Sequence, residues 1–201
     1  MKKLPIEFYN HHDVTAIAKA LLGKILVTKF DGITTSGRIV ETEAYVALTD
    51  KASHSFGGKR TSRNEHMYAA AGTSYVYICY GMHHLFNVVT NKKGIPDAVL
   101  IRAVEPIQGI DDMLIRTGKK KLDYTLTRGP GNVGKALGIN KQHSGLNLLK
   151  NEIYIADDGF KYDAATIVAG KRIGIDGAGK DALLPYRFYI RHNKFVSAVR
   201  T

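Results

Sequence analysis

The segment Gly37–Val46, GRIVETEAYV, constrains this chain more than any other. Its β-branched content and alternation predict a strand. Alternation puts Ile39, Glu41, Glu43 and Tyr45 on one face and Val40, Thr42, Ala44 and Val46 on the other. Two carboxylates two residues apart on a mainly apolar strand are costly if their face is buried. Taken alone, such a Glu-Thr-Glu is most often a solvated face, because charged strand residues are usually exposed.

The surrounding pattern is also strand-rich. Lys24–Phe30, Ser74–Tyr80, Leu85–Asn91 and Ala98–Glu105 read as strands, with Ile153–Ile155 and Arg187–Ile190 as shorter ones. Asp31-Gly32 has hairpin-turn chemistry, and Gly81-Met82-His83 marks a second tight connection. Helical patterns fall toward the ends. Asp13 is a candidate N-cap for a helix over Val14–Leu22 closed by Gly23, Ile107–Arg116 looks helical, and Val133–Leu137 begins another helix. Strands next to strands, with helices outside them, predict an α+β fold around a curved antiparallel or mixed sheet rather than a doubly wound one. No boundary has linker composition and no repeat is visible, so residues 1–201 are expected to form one compact domain.

Charge narrows the partner. Lys plus Arg is 29 and Asp plus Glu is 18, a formal charge of +11. An excess of this size draws polyanions, with nucleic acid first and anionic membrane second. No long basic amphipathic helix and no apolar run of membrane length stands out. The N-terminus lacks the apolar core of a secretory signal. A single cysteine, Cys79, excludes an internal disulfide framework and a Cys-rich zinc site, and fits a reducing cytoplasm. Within its apolar strand it reads as a buried small hydrophobe.

Three further segments carry chemistry. Tyr75, Tyr77 and Tyr80 lie on YVYICYGM, where Gly81 permits a sharp turn that can project Tyr80 off the sheet. Tyrosines also pack well on strands without any ligand. Arg102 interrupts the apolar run Ala98–Val104, and a guanidinium there needs an acidic or phosphate partner, which Glu41 or Glu43 could supply. Ala52–Asn64, ASHSFGGKRTSRN, places His54 before a Gly-Gly turn and groups Lys59, Arg60 and Arg63 in a loop suited to phosphate oxygens, or simply to solvent.

In this order, GRIVETEAY, ASHSFGGKRTSRN, GTSYVYICYGM, Asn87, VLIRAVEP, the Gly129-Pro130 helix start and PYRFYI resemble the alkyladenine (3-methyladenine) DNA glycosylase family, from roughly Val14 to Val199. The resemblance implies that Glu43 is the general base activating water and that Arg102 is its partner. It implies that Tyr45, His54 and Tyr77 wall the base pocket, that Asn87 discriminates against the 2-amino group of normal guanine, and that Tyr80 is the wedge replacing a flipped nucleotide. Lys59, Thr61 and Arg63 fall where the DNA backbone would be held. It further implies damaged duplex DNA as partner and no cofactor or metal; a protein that searches DNA for damage needs only one basic face, so a monomer associated with the nucleoid is expected. Ala70-Ala71, His83-His84 and Lys59 depart from the usual family residues.

Two other readings compete. A non-catalytic nucleic-acid-binding β-barrel would need the basic surface and tyrosines but not Glu43 facing Arg102. A metal-dependent nuclease could use Glu41, Glu43 and His54. A zinc deaminase is disfavoured because no Cys-x-x-Cys pair exists. His11, His12, His66, His143 and His192 read as surface or packing residues.

Overall fold

In the computed structural model, residues 1–197 are described. Ala198 and Val199, which end the family-like stretch, lie outside them, as do the last two residues of the expected domain. Two strands, β2 (Ile25–Phe30) and β3 (Ile33–Tyr45), form the founding hairpin. Asp31 and Gly32 turn it with φ of 52° and 77°. Both are left-handed, as a tight turn matched to strand twist requires.

A nine-stranded sheet grows from this hairpin. Its order is β1 (Lys2–Lys3), β7 (Ile153–Asp157), β2, β3, β6 (Asp97–Gln108), β5 (His83–Thr90) and β4 (Ser74–Cys79), with β9 (Arg187–Ile190) pairing β3 and β8 (Ile167–Gly170) pairing β9. Every strand pair is antiparallel. At 13 residues, β3 outlasts its partner β2. Its C-terminal part takes β9 as neighbour instead, at Glu41–Glu43. The carboxylate segment is thus flanked by β6 on one side and β9 on the other, which removes the solvated alternative.

Gly37 allows β3 to lie close to β6, since a Cβ there would come 2.6 Å from Val104 Cγ2. Helices cover the sheet. Asp13 caps α2 (Val14–Ala20), accepting from the amides of Thr15 and Ala16 at 2.9 and 3.1 Å. Val14, Ile17 and Ala18 are buried in the main core with Val40, Ala44 and Ile101. From the other end, α3 (Ile110–Thr117) and α4 (Pro130–Ala136) add Met113, Val133 and Ala136 to the same core. A second, smaller cluster of Met67, Tyr68, Tyr75, Val89 and Ala98 lies under the β4–β6 end, with Tyr77 against it.

The α+β expectation holds. Several boundaries differ from the sequence pattern: β3 starts at Ile33 and β5 at His83, ahead of the expected Gly37 and Leu85, α2 ends at Ala20, and α4 starts at Pro130. The helix read from Ile107 begins at Ile110, because β6 continues to Gln108 and Gly109 breaks it with φ of 73°. Three elements, β1, α1 (Ile6–Tyr9) and β8, are too short to show a period. No helix among the described residues is long and apolar enough to cross a membrane.

Candidate active site

The site is laid out by strand register. Glu43 pairs with Leu100, Leu100 with Asn87, and Asn87 with Tyr75, one row across β3, β6, β5 and β4. Residues directly opposite in antiparallel strands share a face, so Glu43, Asn87 and Tyr75 converge from segments up to 44 positions apart in a line on one side of the sheet.

Arg102 reaches this row because the register slips. Glu41 pairs Ala103 and Thr42 pairs Ile101, so Arg102 is left without a partner on β3; an opposite slip at Ile39/Glu41 restores the pairing. Bulges of this kind re-aim a side chain. The guanidinium, 7% exposed, meets both acids: Nε lies 3.3 Å from Glu41 Oε1 and Nη1 lies 3.2 Å from Glu43 Oε2. Burial disfavours its charge, but the two carboxylates outweigh burial and hold its pKa above the ordinary guanidinium value.

Both acids are fully buried, and their surroundings differ. Arg187 of β9 donates Nε to Glu41 Oε1 at 2.6 Å, and Ser197 donates its amide and hydroxyl to Oε2 at 2.9 and 2.7 Å. Glu43 accepts from the Ile173 amide at Oε1 (2.8 Å) and from the Tyr45 hydroxyl at Oε2 (2.8 Å), beside Arg102. A carboxylate offers about four lone-pair sites. Among the described residues Glu41 meets four donor groups and Glu43 three, so Glu43 keeps one acceptor position open on Oε1. Burial, followed by the neighbouring Glu43 charge, pushes the Tyr45 pKa well up, which preserves its phenol as a donor.

Next to Glu43 opens a cavity of about 360 Å³, within the usual range for small-ligand sites. Tyr45, His54, Tyr75, Tyr77 and Asn87 stand on its wall. Glu43 and Arg102 are not wall residues; Tyr45 links them to it through its hydroxyl. His54 Nδ1 is 2.8 Å from the Tyr75 hydroxyl, and its ring meets Tyr77 edge-on at 4.6 Å. Burial, then the Arg63 and Lys59 charges, lowers the His54 pKa to about 4, so the His54 ring is neutral near pH 7. Asn87 donates Nδ2 to the carbonyls of Tyr75 and Leu85 at 3.1 and 3.2 Å, which locks its side chain. Cys79 also lines the cavity and is half-buried, so it is a wall residue and not the buried packing residue expected from its strand.

The β4–β5 turn follows directly on Cys79 of the cavity wall. Tyr80 is 83% exposed with φ of 50°, and Gly81 follows at 72°. A left-handed tyrosine costs roughly 1–2 kcal/mol, and so little packing does not offset it. Asn64 holds the basic loop from inside, and Arg63 of that loop donates to the Ile78 carbonyl near the end of β4 at 3.4 Å. Asn64 Nδ2 donates to the His54 and Lys59 carbonyls, and its Oδ1 accepts from the Thr61 amide and hydroxyl. Lys59, Thr61 and Arg63 are exposed; Arg63 also lies over the Tyr77 ring at 5.8 Å and lines the cavity. Arg60 is paired with Glu65.

Sequence reasoning missed the segment from Arg172 to Asp181. It supplies the Ile173 donor to Glu43, and Gly174, Ile175, Gly177 and Ala178 to the cavity wall. It also missed Arg187, whose only local signal is a cation inside a short apolar strand. The proposed metal trio does not assemble. His54 is held by Tyr75 and Glu41 is saturated, and among the described residues no group of three His, Cys, Asp or Glu is placed to hold an ion.

Comparison with known proteins gives a consistent result. The profile of the family described as Methylpurine-DNA glycosylase (MPG) matches residues 7–194. A Clostridium perfringens (strain 13 / Type A) protein named "Putative 3-methyladenine DNA glycosylase" is 46% identical over 97% of this chain and 98% of its own length. Proteins of the same name from Desulfitobacterium hafniense (strain Y51) and Chlamydia felis (strain Fe/C-56) are 46% and 45% identical, over 98% and 95% of this chain and 99% and 97% of their own lengths. The chain belongs to the methylpurine-DNA glycosylase family and is an N-glycosylase of DNA repair acting on damaged DNA.

Proposed function

We propose that the protein removes 3-methyladenine-type purines, alkylated or deaminated, from duplex DNA by flipping the nucleotide and hydrolysing its glycosidic bond. The observation that carries this reading is the open acceptor position on Glu43, beside a tyrosine-walled cavity of about 360 Å³. Flipping costs a few kcal/mol in lost stacking and pairing. Tyr80, already held off the sheet at a turn tip, fills the gap and recovers part of that cost. The extruded base stacks on Tyr45, Tyr77 and His54, worth about 1–3 kcal/mol by analogy with single-strand binders. N3- and N7-methylpurines are cationic, so tyrosine faces add roughly 0.5–2 kcal/mol, and a neutral His54 does not repel them. Asn87, fixed by two carbonyls, cannot swing aside for the 2-amino group of guanine.

As the C1′–N bond breaks, its electron pair leaves with the base: a cationic methylpurine departs neutral, and an uncharged deaminated purine departs as its anion and takes a proton from solvent water. The sugar gains oxocarbenium character, which the Glu43 carboxylate stabilises. A water held by Glu43 Oε1 gives its proton to that carboxylate as its oxygen bonds C1′. The cavity wall carries one lysine, Lys51, whose backbone amide is tied to Asp181. The Gly37–Val46 strand that carries Glu43 offers no lysine, so water is the nucleophile and the product is an abasic site with the strand intact, made by a monomer. Lys59, Thr61 and Arg63 hold backbone phosphates at the mouth.

The test is incubation with duplexes carrying single defined lesions, with mass spectrometry of released bases. Free methylpurine with intact phosphodiesters is the expected outcome. A borohydride-trapped protein–DNA adduct overturns the hydrolytic mechanism.

A further inference from the structure

One buried ion pair near the site plays no part in the chemistry above. Arg172 is 5% exposed and forks onto Asp50, 2% exposed: Nη2 donates to Oδ1 at 2.8 Å, and Nη1 donates to Oδ2. A planar fork is the geometry in which arginine and carboxylate bind most specifically. The pair does more than satisfy itself. Arg172 Nη1 also donates to the Ala44 carbonyl at 2.9 Å, and Nη2 to the Asp181 carbonyl at 3.2 Å. Its guanidinium lies over the Tyr45 ring at 4.8 Å and the Tyr186 ring at 5.4 Å. Asp50 Oδ1 accepts from the Ala52 amide at 3.0 Å, and Asp181 Oδ2 accepts from the Lys51 amide at 2.9 Å.

These bonds join three separate pieces of the cavity. The first is the end of β3, with Tyr45. The second is the loop of Asp50, Lys51 and Ala52 that leads to His54. The third is the segment 172–181, which carries Gly174, Ile175, Gly177 and Ala178. Ile173, adjacent to Arg172, donates its amide to Glu43. Neither Arg172 nor Asp50 lines the cavity, so the pair acts through what it holds, the donor to the general base and the ring beside it.

We propose that Arg172 and Asp50 form a positioning clamp for catalysis: the pair seats the 172–181 segment so that the Ile173 amide stays on Glu43 while Tyr45 keeps its place on the cavity wall. This rests on Glu43 being the base. The bidentate fork is essential. A lysine at 172 keeps the charge but cannot make both bonds to Asp50 and still reach Ala44 and Asp181. Misplacement near 1 Å typically costs about 100-fold in rate.

The test uses single-turnover excision of an uncharged lesion such as hypoxanthine from duplex DNA, by the full chain, across pH. R172K and D50N are compared with E43Q. Each clamp variant is expected to lose about 10- to 100-fold in excision rate, with duplex affinity within about threefold of the parent. The acid limb of its rate profile should move to higher pH, because a carboxylate that loses a backbone donor is easier to protonate. The other charged or titratable groups facing Glu43 stay in place: Glu41 and Tyr45 on its own strand, Arg102 on β6, Arg187 opposite it on β9 and Tyr77 on β4; Arg172 also acts on Glu43 through its charge, which R172K keeps. A purely structural pair would lower the thermal midpoint and leave the profile of the remaining folded enzyme in place. The double variant R172K/D50N should lose no more than the worse single one, as expected of a unit. Folded variants with a parental rate and profile overturn the clamp. Should R172K fail to fold, the near-isosteric D50N decides alone; if both fail to fold, the pair is structural and the clamp is overturned. If E43Q retains activity, the base assignment falls with it. If only E43Q is inactive, the clamp alone falls.

Discussion

Glu41 and Glu43 sit two residues apart on one strand, share Arg102 and are equally buried, yet the fold puts them to different uses. Glu41 is closed on every side by Arg187, Arg102 and Ser197. Glu43 is bonded to Tyr45, Ile173 and Arg102 and, among the described residues, retains one unfilled acceptor position on Oε1. A buried carboxylate with all its sites filled is architecture, whereas one short of a partner can take a water. Two carboxylates against two guanidiniums also leave the cluster neutral, which makes burying four ionised side chains tolerable.

Substituting each acid by its amide separates these roles most sharply. Glu43→Gln should still bind damaged duplex while excision in single-turnover assays falls by about 1,000-fold or more, near 4 kcal/mol of barrier. Glu41→Gln should instead cost about 3–5 kcal/mol of stability, seen in the denaturant midpoint, because it strands buried cations. In the molecules that remain folded, excision should fall far less than for Glu43→Gln. A Glu41→Gln protein of parental stability but lost activity would invert the comparison.

The contrast extends to the opposite wall through pH. The folded-state pKa of His54, about 4, lies below the ordinary 6.5. The unfolded chain therefore binds more protons between those values. Protonation of His54 adds no pH dependence to stability well above pH 6.5, and stability is lost as pH falls toward 4, by no more than about 3 kcal/mol. His54→Gln should flatten that slope in midpoints measured from pH 4 to 7. A slope unchanged by the substitution would assign the loss to other groups.

Tyr80 gives the smallest effects and the cleanest dissociation from Glu43. Tyr80→Ala should lower excision from duplex by about 10-fold while leaving single-stranded substrate nearly unaffected, since nothing needs replacing in an absent stack. Tyr80→Gly should raise the thermal midpoint slightly, by about 1 kcal/mol of stability or less, as the left-handed strain at φ of 50° is relieved. Equal losses on both substrates would place Tyr80 in the chemistry rather than in strand opening.

Much of the fold was legible in local pattern. Asp31-Gly32 announced its hairpin, Asp13 its helix, and the β-branched runs their strands, because caps, turns and period-2 alternation are short-range physics. The site was legible where residue type is improbable without a partner, as with Arg102 inside an apolar run and the paired glutamates. The extent of burial was not, because it depends on β9 arriving from residue 187 to cover Glu41–Glu43.

Alternation along Gly37–Val46 was enough to put both carboxylates on one face and to demand cations from elsewhere in the chain. Which carboxylate would be sealed and which left a vacant lone pair depended on long-range contacts. Arg187 and Ser197 approach one from more than 140 positions away, and Ile173 approaches the other from 130 away. Such pairings carry no local periodicity. They exist only once a 13-residue strand outruns its first partner and a distant segment takes the vacated edge.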